Sequence, residues 1–153
     1  MEDIRSLKKF WNKKKVFITG HTGFKGTWLC IILRYLNSTI YGYSLEPKKN
    51  SLFNKSKIDK EIFLNTYSDI NNIVKLRKII KQSKPEIIFH LAAQPLVLES
   101  YKTPLKTFNT NIIGTLNILE CIRETKSVKS VVIITTDKVY KINKRNINYN
   151  ELD

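Results

Sequence analysis

Short solid apolar runs alternate with longer amphipathic stretches along this chain. Residues 15–19 (Lys-Val-Phe-Ile-Thr) read as a buried strand. Residues 24–37 place Trp28, Leu29, Ile32, Leu33 and Leu36 at helical spacing. A second strand is expected at 39–45, a polar lysine-rich loop at 46–60 and a short third strand at 61–66. A helix at 70–83 carries Ile73, Leu76, Ile79 and Ile80 on one face. Ile87-Ile88-Phe89-His90-Leu91 predicts a fourth strand. Residues 104–124 predict a long helix with Pro104 in its first turn and Ile112, Leu116 and Leu119 among its apolar positions. A fifth strand is expected at 130–135. Runs this solid, separated by helices, imply a parallel sheet covered on both faces, so the expected class is α/β with a doubly wound sheet.

Seven residues between the first strand and first helix carry the sharpest chemistry: Gly20-His21-Thr22-Gly23-Phe24-Lys25-Gly26. Glycine at every third position lets the chain turn tightly, lets backbone N–H groups approach a pyrophosphate, and lets helix and strand pack closely. The positive end of the helix then faces the anion. A dinucleotide reading also asks for an acid after the second strand to hold the adenosine ribose. That place reads Tyr43-Ser44-Leu45-Glu46, with no Asp, and Lys48 and Lys49 follow. Glu46 can serve the ribose, the lysines can favour a 2′-phosphate, or the segment is a plain solvated loop.

Composition narrows the classes. The 153 residues are 42% hydrophobic, with two Trp, seven Phe and seven Tyr, which suits one domain with a real core. No apolar stretch approaches the ~20 residues of a membrane span. Met1-Glu2-Asp3-Ile4-Arg5 lacks an apolar signal core, so a cytoplasmic chain is expected. Cys30 and Cys121 sit in helical apolar patterns and read as buried free thiols, without disulfide or metal site. The net charge of +14 is spread as scattered lysine, with no Arg-Lys cluster interleaved with aromatics. Nucleic acid and membrane are therefore not expected partners. Anionic small molecules would feel the positive field.

Further motifs follow in order: Ser68-Asp69-Ile70, His90-Leu91-Ala92-Ala93-Gln94, Asn111-x-x-Gly114-Thr115 and Thr135-Thr136-Asp137. With the glycine turn, this series resembles the extended short-chain dehydrogenase/reductase superfamily, in its nucleotide-sugar branch. The wording of Gly42-Tyr-Ser-Leu45, Ser51-Leu-Phe53, residues 90–97, Ser100-Tyr101 and Thr136-Asp-Lys138 is similar to the CDP-glucose 4,6-dehydratase family, over essentially all the chain. Leu98 departs from it, standing where that family often has Arg.

The resemblance implies a Rossmann-type sheet that stops after about five strands, giving one incomplete NAD(P)-binding domain over 1–153. It implies NAD, with NADP less favoured, bound by Gly20, Thr22, Gly23, Phe24, Lys25, Gly26, Ser44, Asp69, Ile70, Leu91, Ala92, Ala93, Gln94 and Asn111. Asp69 would accept from the adenine amino group or cap the 70–83 helix, and Asn111 would buttress its own helix. His90 reads as structural, and His21 lies within the phosphate turn without acting as a base. Thr136, Asp137 and Lys138 are the implied catalytic residues: Thr136 on the sugar C4 oxygen, Asp137 as proton donor, Lys138 as base or enolate stabiliser.

Tyr140-Lys141-Ile142-Asn143-Lys144 matches the family's Tyr-x-x-x-Lys literally but follows Thr136 too closely, and its asparagines make a poor helix. On the family pattern the chain stops short of that pair and of the sugar-nucleotide domain. The implied activity is dehydration of a nucleotide sugar, with a homodimer formed through 104–124. A non-catalytic dinucleotide-binding fragment and a nucleotide-sugar epimerase remain alternatives.

Overall fold

Alternate residues of the first strand serve two different cores. In β1 (Lys15–Thr19), Phe17 packs on one side of the sheet and Val16 and Ile18 on the other, all three fully buried. A strand buried on both faces cannot show polar alternation, which is why its run is solid. The computed structural model describes residues 4–136 and Tyr140. Within that span, α1 (Ile4–Trp11) precedes β1, and α2 (Phe24–Tyr35) leads to β2 (Thr39–Ser44). Next come α3 (Leu52–Ser56), a 3-10 turn (Ile58–Glu61), β3 (Leu64–Tyr67), α4 (Ile73–Ser83) and β4 (Ile87–His90). The final elements are α5 (Val97–Lys102), α6 (Pro104–Phe108), a π turn (Asn109–Ile113), α7 (Gly114–Arg123) and β5 (Ser130–Ile133).

The strands form one parallel sheet in the order β3-β2-β1-β4-β5. This is the Rossmann-type doubly wound arrangement that the alternation predicts. Phe17, Tyr41, Tyr43 and Ile88 meet Leu76 and Ile80 of α4 and Ile118 and Cys121 of α7. On the opposite face Val16, Ile18 and Ile40 meet Cys30 and Leu33 of α2, with Phe53, Ile58 and Ile62. Fully burying one such side chain contributes about 1.5–3 kcal/mol. The two cysteines are free and buried, one in each core.

Several boundaries and faces differ from the periodicity. The helix expected at 70–83 starts at Ile73, because Asn72 rather than Asp69 is its N-cap, accepting from the Lys75 N–H. The strand expected at 61–66 is Leu64–Tyr67. Helix α2 turns Gly26, Thr27, Cys30 and Leu33 inward, leaving Trp28 and Ile32 about half exposed at 48% and 51%. Likewise α7 buries Gly114, Ile118 and Cys121, so Ile112, Leu116 and Leu119 belong to an outer stripe with Leu105 and Phe108. Both helices carry two apolar faces, and only the one with small residues can approach the sheet. The loop expected at 46–60 contains α3 and the 3-10 turn, anchored by buried Phe53 and Ile58.

Gly42 of β2 answers His21: a Cβ there would lie 2.6 Å from the imidazole. The ring is fully buried, edge-on to Phe53 and stacked on Tyr67. Among the described residues no helix is long and apolar enough to cross a membrane.

Candidate dinucleotide site

The sheet order reverses direction at β1, whose neighbours are β2 and β4. In open α/β sheets the crevice outside the carboxyl ends of the strands at such a switch point takes the ligand. Here that crevice is bounded by Gly20–Gly26 after β1 and by Leu91–Gln94 after β4.

Each glycine of the turn has its own reason. Gly20 sits at φ +72°, and a Cβ there would be 2.7 Å from the Ala92 nitrogen. Gly26 lies where a Cβ would be 2.2 Å from the Gly20 carbonyl oxygen, so it sets the close packing of helix on strand. Gly23 differs. Its φ of −73° suits any residue, and a Cβ would meet only the Gly20 oxygen, at 3.2 Å. That single contact is tight and with backbone, so a side chain at Gly23 asks the turn to give by a few tenths of an ångström, far less than at Gly20 or Gly26.

The N–H groups that follow Gly23 lack partners. The Gly23 N–H bonds to Gly20 O and the Thr27 N–H to Gly23 O. Among the described residues the N–H groups of Phe24, Lys25 and Gly26 meet no acceptor. Three orphan donors at a helix start, next to an exposed glycine, fit a pyrophosphate. Phe24 and Lys25 themselves are exposed.

At the end of β2 the Thr22 hydroxyl donates to the Leu45 carbonyl, at 3.0 Å. Its 2.8 Å contact with Ser44 then requires the Ser44 hydroxyl to donate. The Ser44 oxygen is left with acceptor capacity alone, the capacity a carboxylate offers a ribose hydroxyl. Glu46, Lys48 and Lys49 are exposed nearby in sequence.

Asp69 is exposed beyond β3, and its Oδ1 accepts from the Asn71 backbone and side chain. Ile70 is buried, and its Cγ2 fills the space that a Cβ on Gly114 would need. Across the crevice, Ala92 and Leu91 are half-buried and Ala93 is exposed. The Gln94 side chain is committed within the protein, donating to Thr107 Oγ1 and Leu96 O and accepting from the Leu96 N–H. Asn111, inside the π turn, accepts from the Gln94 N–H at 2.8 Å and donates to its carbonyl at 3.1 Å. A π turn in a helix frequently marks a functional site.

Comparison with known proteins gives the family and the fold. A sequence profile described as GDP-mannose 4,6 dehydratase matches residues 17–151. The chain belongs to the GDP-mannose 4,6-dehydratase family. It is 45% identical to the CDP-glucose 4,6-dehydratase of Salmonella typhimurium, over 87% of this chain and 37% of that protein. Among solved structures, the epimerase Mth375 of Methanothermobacter thermautotrophicus superposes with a TM-score of 0.79 at 23% identity, over 98% of this chain and 43% of that one. UDP-glucose 4-epimerase of Brucella ovis, solved in complex with NAD, superposes with a TM-score of 0.73 at 21% identity, over 87% and 39%. The chain thus spans little more than a third of the length of the Salmonella relative.

The catalytic residues expected at 136–138 follow β5 in sequence. Thr136 is exposed past β5, while Asp137 and Lys138 lie outside the described residues, as do Lys141–Lys144. The structure therefore gathers Gly20–Gly26, Ser44, Leu91–Gln94 and Asn111 at one sheet edge. The sequence names Thr115 within the Asn111-x-x-Gly114-Thr115 motif and Thr19 within the first strand, but not their link through His90, which ties this edge together internally. The signal was present, since a threonine on a solid apolar strand needs a partner for its hydroxyl.

Proposed function

We propose that this chain is the dinucleotide-binding part of an NAD-dependent nucleotide-sugar 4,6-dehydratase that converts CDP-glucose to CDP-4-dehydro-6-deoxyglucose, a step in deoxysugar precursor synthesis. One observation carries the reading: three orphan N–H donors beside exposed Gly23, at the switch point of the sheet. The CDP-glucose choice rests on the similarity to the Salmonella enzyme. NAD is preferred over NADP because the Ser44 oxygen can accept from a ribose hydroxyl but has no hydrogen left for a phosphate.

The residues divide the work. The N–H groups of Phe24, Lys25 and Gly26 hold the pyrophosphate, Ser44 the adenosine ribose, and Asp69 the adenine amino group. NAD supplies hydride exchange with the sugar. A ketone at C4 acidifies the C5 proton, so water can be lost across C5–C6. Thr136 hydrogen-bonds the C4 oxygen. Lys138 takes the C5 proton or stabilises the enolate, and Asp137 protonates the departing C6 hydroxyl. That role needs Asp137 neutral, so burial or a neighbouring negative charge must raise its pKa. The outer stripe of Leu105, Phe108, Ile112, Leu116 and Leu119 supports a homodimer through 104–124.

The test uses a polypeptide of the relatives' full length, with CDP-glucose and NAD. Asp137→Asn is expected to slow product formation about a hundredfold while reduced cofactor still accumulates. Equal loss of oxidation and elimination contradicts the role given to Asp137.

A further inference from the structure

His90, the last residue of β4, is 2% exposed, and both of its ring nitrogens are hydrogen-bonded. The direction of every bond around it follows from counting hydrogens. Thr19 Oγ1 accepts from the N–H groups of Leu91 and Ala92, both at 3.2 Å. The Leu91 N–H is shared with the Thr19 carbonyl oxygen at 3.1 Å, so the direction is set from the other side: Thr115 Oγ1 gives its hydrogen to the Asn111 carbonyl, His90 Nε2 must donate to it, and the Thr19 hydrogen goes to His90 Nδ1, 2.6 Å away. Nδ1 is therefore bare, and the neutral ring carries its hydrogen on Nε2. That hydrogen meets Thr115 Oγ1 at 3.1 Å. Thr115 in turn donates to the Asn111 carbonyl at 2.7 Å. Asn111 clamps both backbone groups of Gln94. The circuit starts at Leu91 and Ala92 and returns at Gln94, so it closes on the turn that lines the crevice. If the ring held the other tautomer, its Nδ1–H would compete with the Ala92 N–H for Thr19 Oγ1, while the Leu91 N–H would keep the Thr19 carbonyl oxygen, 3.1 Å away.

We propose that His90 is a positioning residue: held as one tautomer between Thr19 and Thr115, it presets the Leu91–Gln94 turn for the half of the dinucleotide that lies away from β2. The second clause rests on the dinucleotide reading above. With the adenosine ribose at the end of β2, the pyrophosphate at Gly20–Gly26 and β4 on the far side of β1, the remaining half extends over this turn.

The experiment uses the chain with Thr115→Val, which removes one link without emptying the core, and Thr115→Ser, which restores it. Two-bond nitrogen–proton NMR on the wild type is expected to show His90 with its hydrogen on Nε2; a hydrogen on Nδ1 overturns the proposal. In Thr115→Val the Ala92 and Gln94 amides should exchange about tenfold faster, with Gly42 unchanged and Thr115→Ser returning to wild-type rates. Equal acceleration at Gly42 marks a merely structural role and overturns it, as does no acceleration. Calorimetry then compares ADP with NAD. Thr115→Val should bind ADP within about twofold of wild type and NAD about tenfold more weakly. Equal weakening of both overturns the positioning of the distal half. A wild type that binds neither refutes the dinucleotide reading, and tautomer and exchange then decide the role of His90 by themselves.

Discussion

Acidifying the chain from pH 7.5 to pH 5 is expected to remove about 4 kcal/mol of folding stability, roughly 2 from each of two buried histidines. His21 and His90 are 0% and 2% exposed, and burial is the main cause that pushes each pKa down from 6.5 to about 4. The Asn65 bond opposes this at His21. Its Nδ1 lies by the Tyr43 backbone without a hydrogen bond of good geometry.

The sign follows from proton counting. Between pH 6.5 and 4 the unfolded chain holds protons on these rings that the folded chain does not. Stability is therefore complete above about 6.5 and falls as pH drops through the window. A domain of this size has only about 5–15 kcal/mol in total, so the loss is large. Lys14 holds the Glu86 carboxyl below its usual range, as Arg123 and Lys81 do for Glu120 and Glu124, but these groups titrate lower. Urea midpoints at half-unit intervals check the prediction. A flat profile from 7.5 to 5 contradicts it.

Gly26→Ala is expected to cost at least about 3 kcal/mol, at the upper end of ordinary overpacking. Its Cβ would meet the Gly20 oxygen at 2.2 Å, the His21 Cα at 2.7 Å and the Gly20 carbonyl carbon at 2.9 Å. All three are backbone atoms of a turn whose Gly20 already holds φ +72°, so no rotamer can relieve the contact. Gly23→Ala, three residues earlier, should cost markedly less, because its Cβ would meet one backbone atom, the Gly20 oxygen at 3.2 Å, which a shift of a few tenths of an ångström relieves. Equilibrium unfolding of the two variants side by side tests the contrast. Similar costs would mean that the turn does not divide its glycines in this way.

The layering was legible in the sequence because a parallel sheet covered on both faces forces solid strands, and every one of the five expected strands is present. Helix faces were harder to read. In α2 and α7 large apolar side chains point outward while Gly26, Cys30, Gly114 and Cys121 face the sheet, so size misled where closeness of approach decided. The segment 46–60 read as loop because lysines and asparagines outnumber Phe53 and Ile58, whose burial holds α3 and the 3-10 turn. α1 was not anticipated; Trp11 reaches Phe89 of β4, a long-range contact that local pattern cannot show. At the site, the glycine turn was legible because its chemistry is backbone chemistry at fixed spacing. The Thr19–His90–Thr115 circuit joins residues 71 and 25 positions apart, which no local motif displays.

If the Gly20–Gly26 turn holds a dinucleotide, a side chain on exposed Gly23 would stand beside the N–H groups of Phe24, Lys25 and Gly26. Calorimetric titration of NAD into the wild type and into Gly23→Val tests that site most directly, with urea midpoints confirming that both are folded. Saturable binding is expected of the wild type, and a loss of roughly a hundredfold or more of a variant that remains folded, equivalent to about 2.7 kcal/mol. Undiminished binding by folded Gly23→Val, or no binding by the wild type, would contradict it.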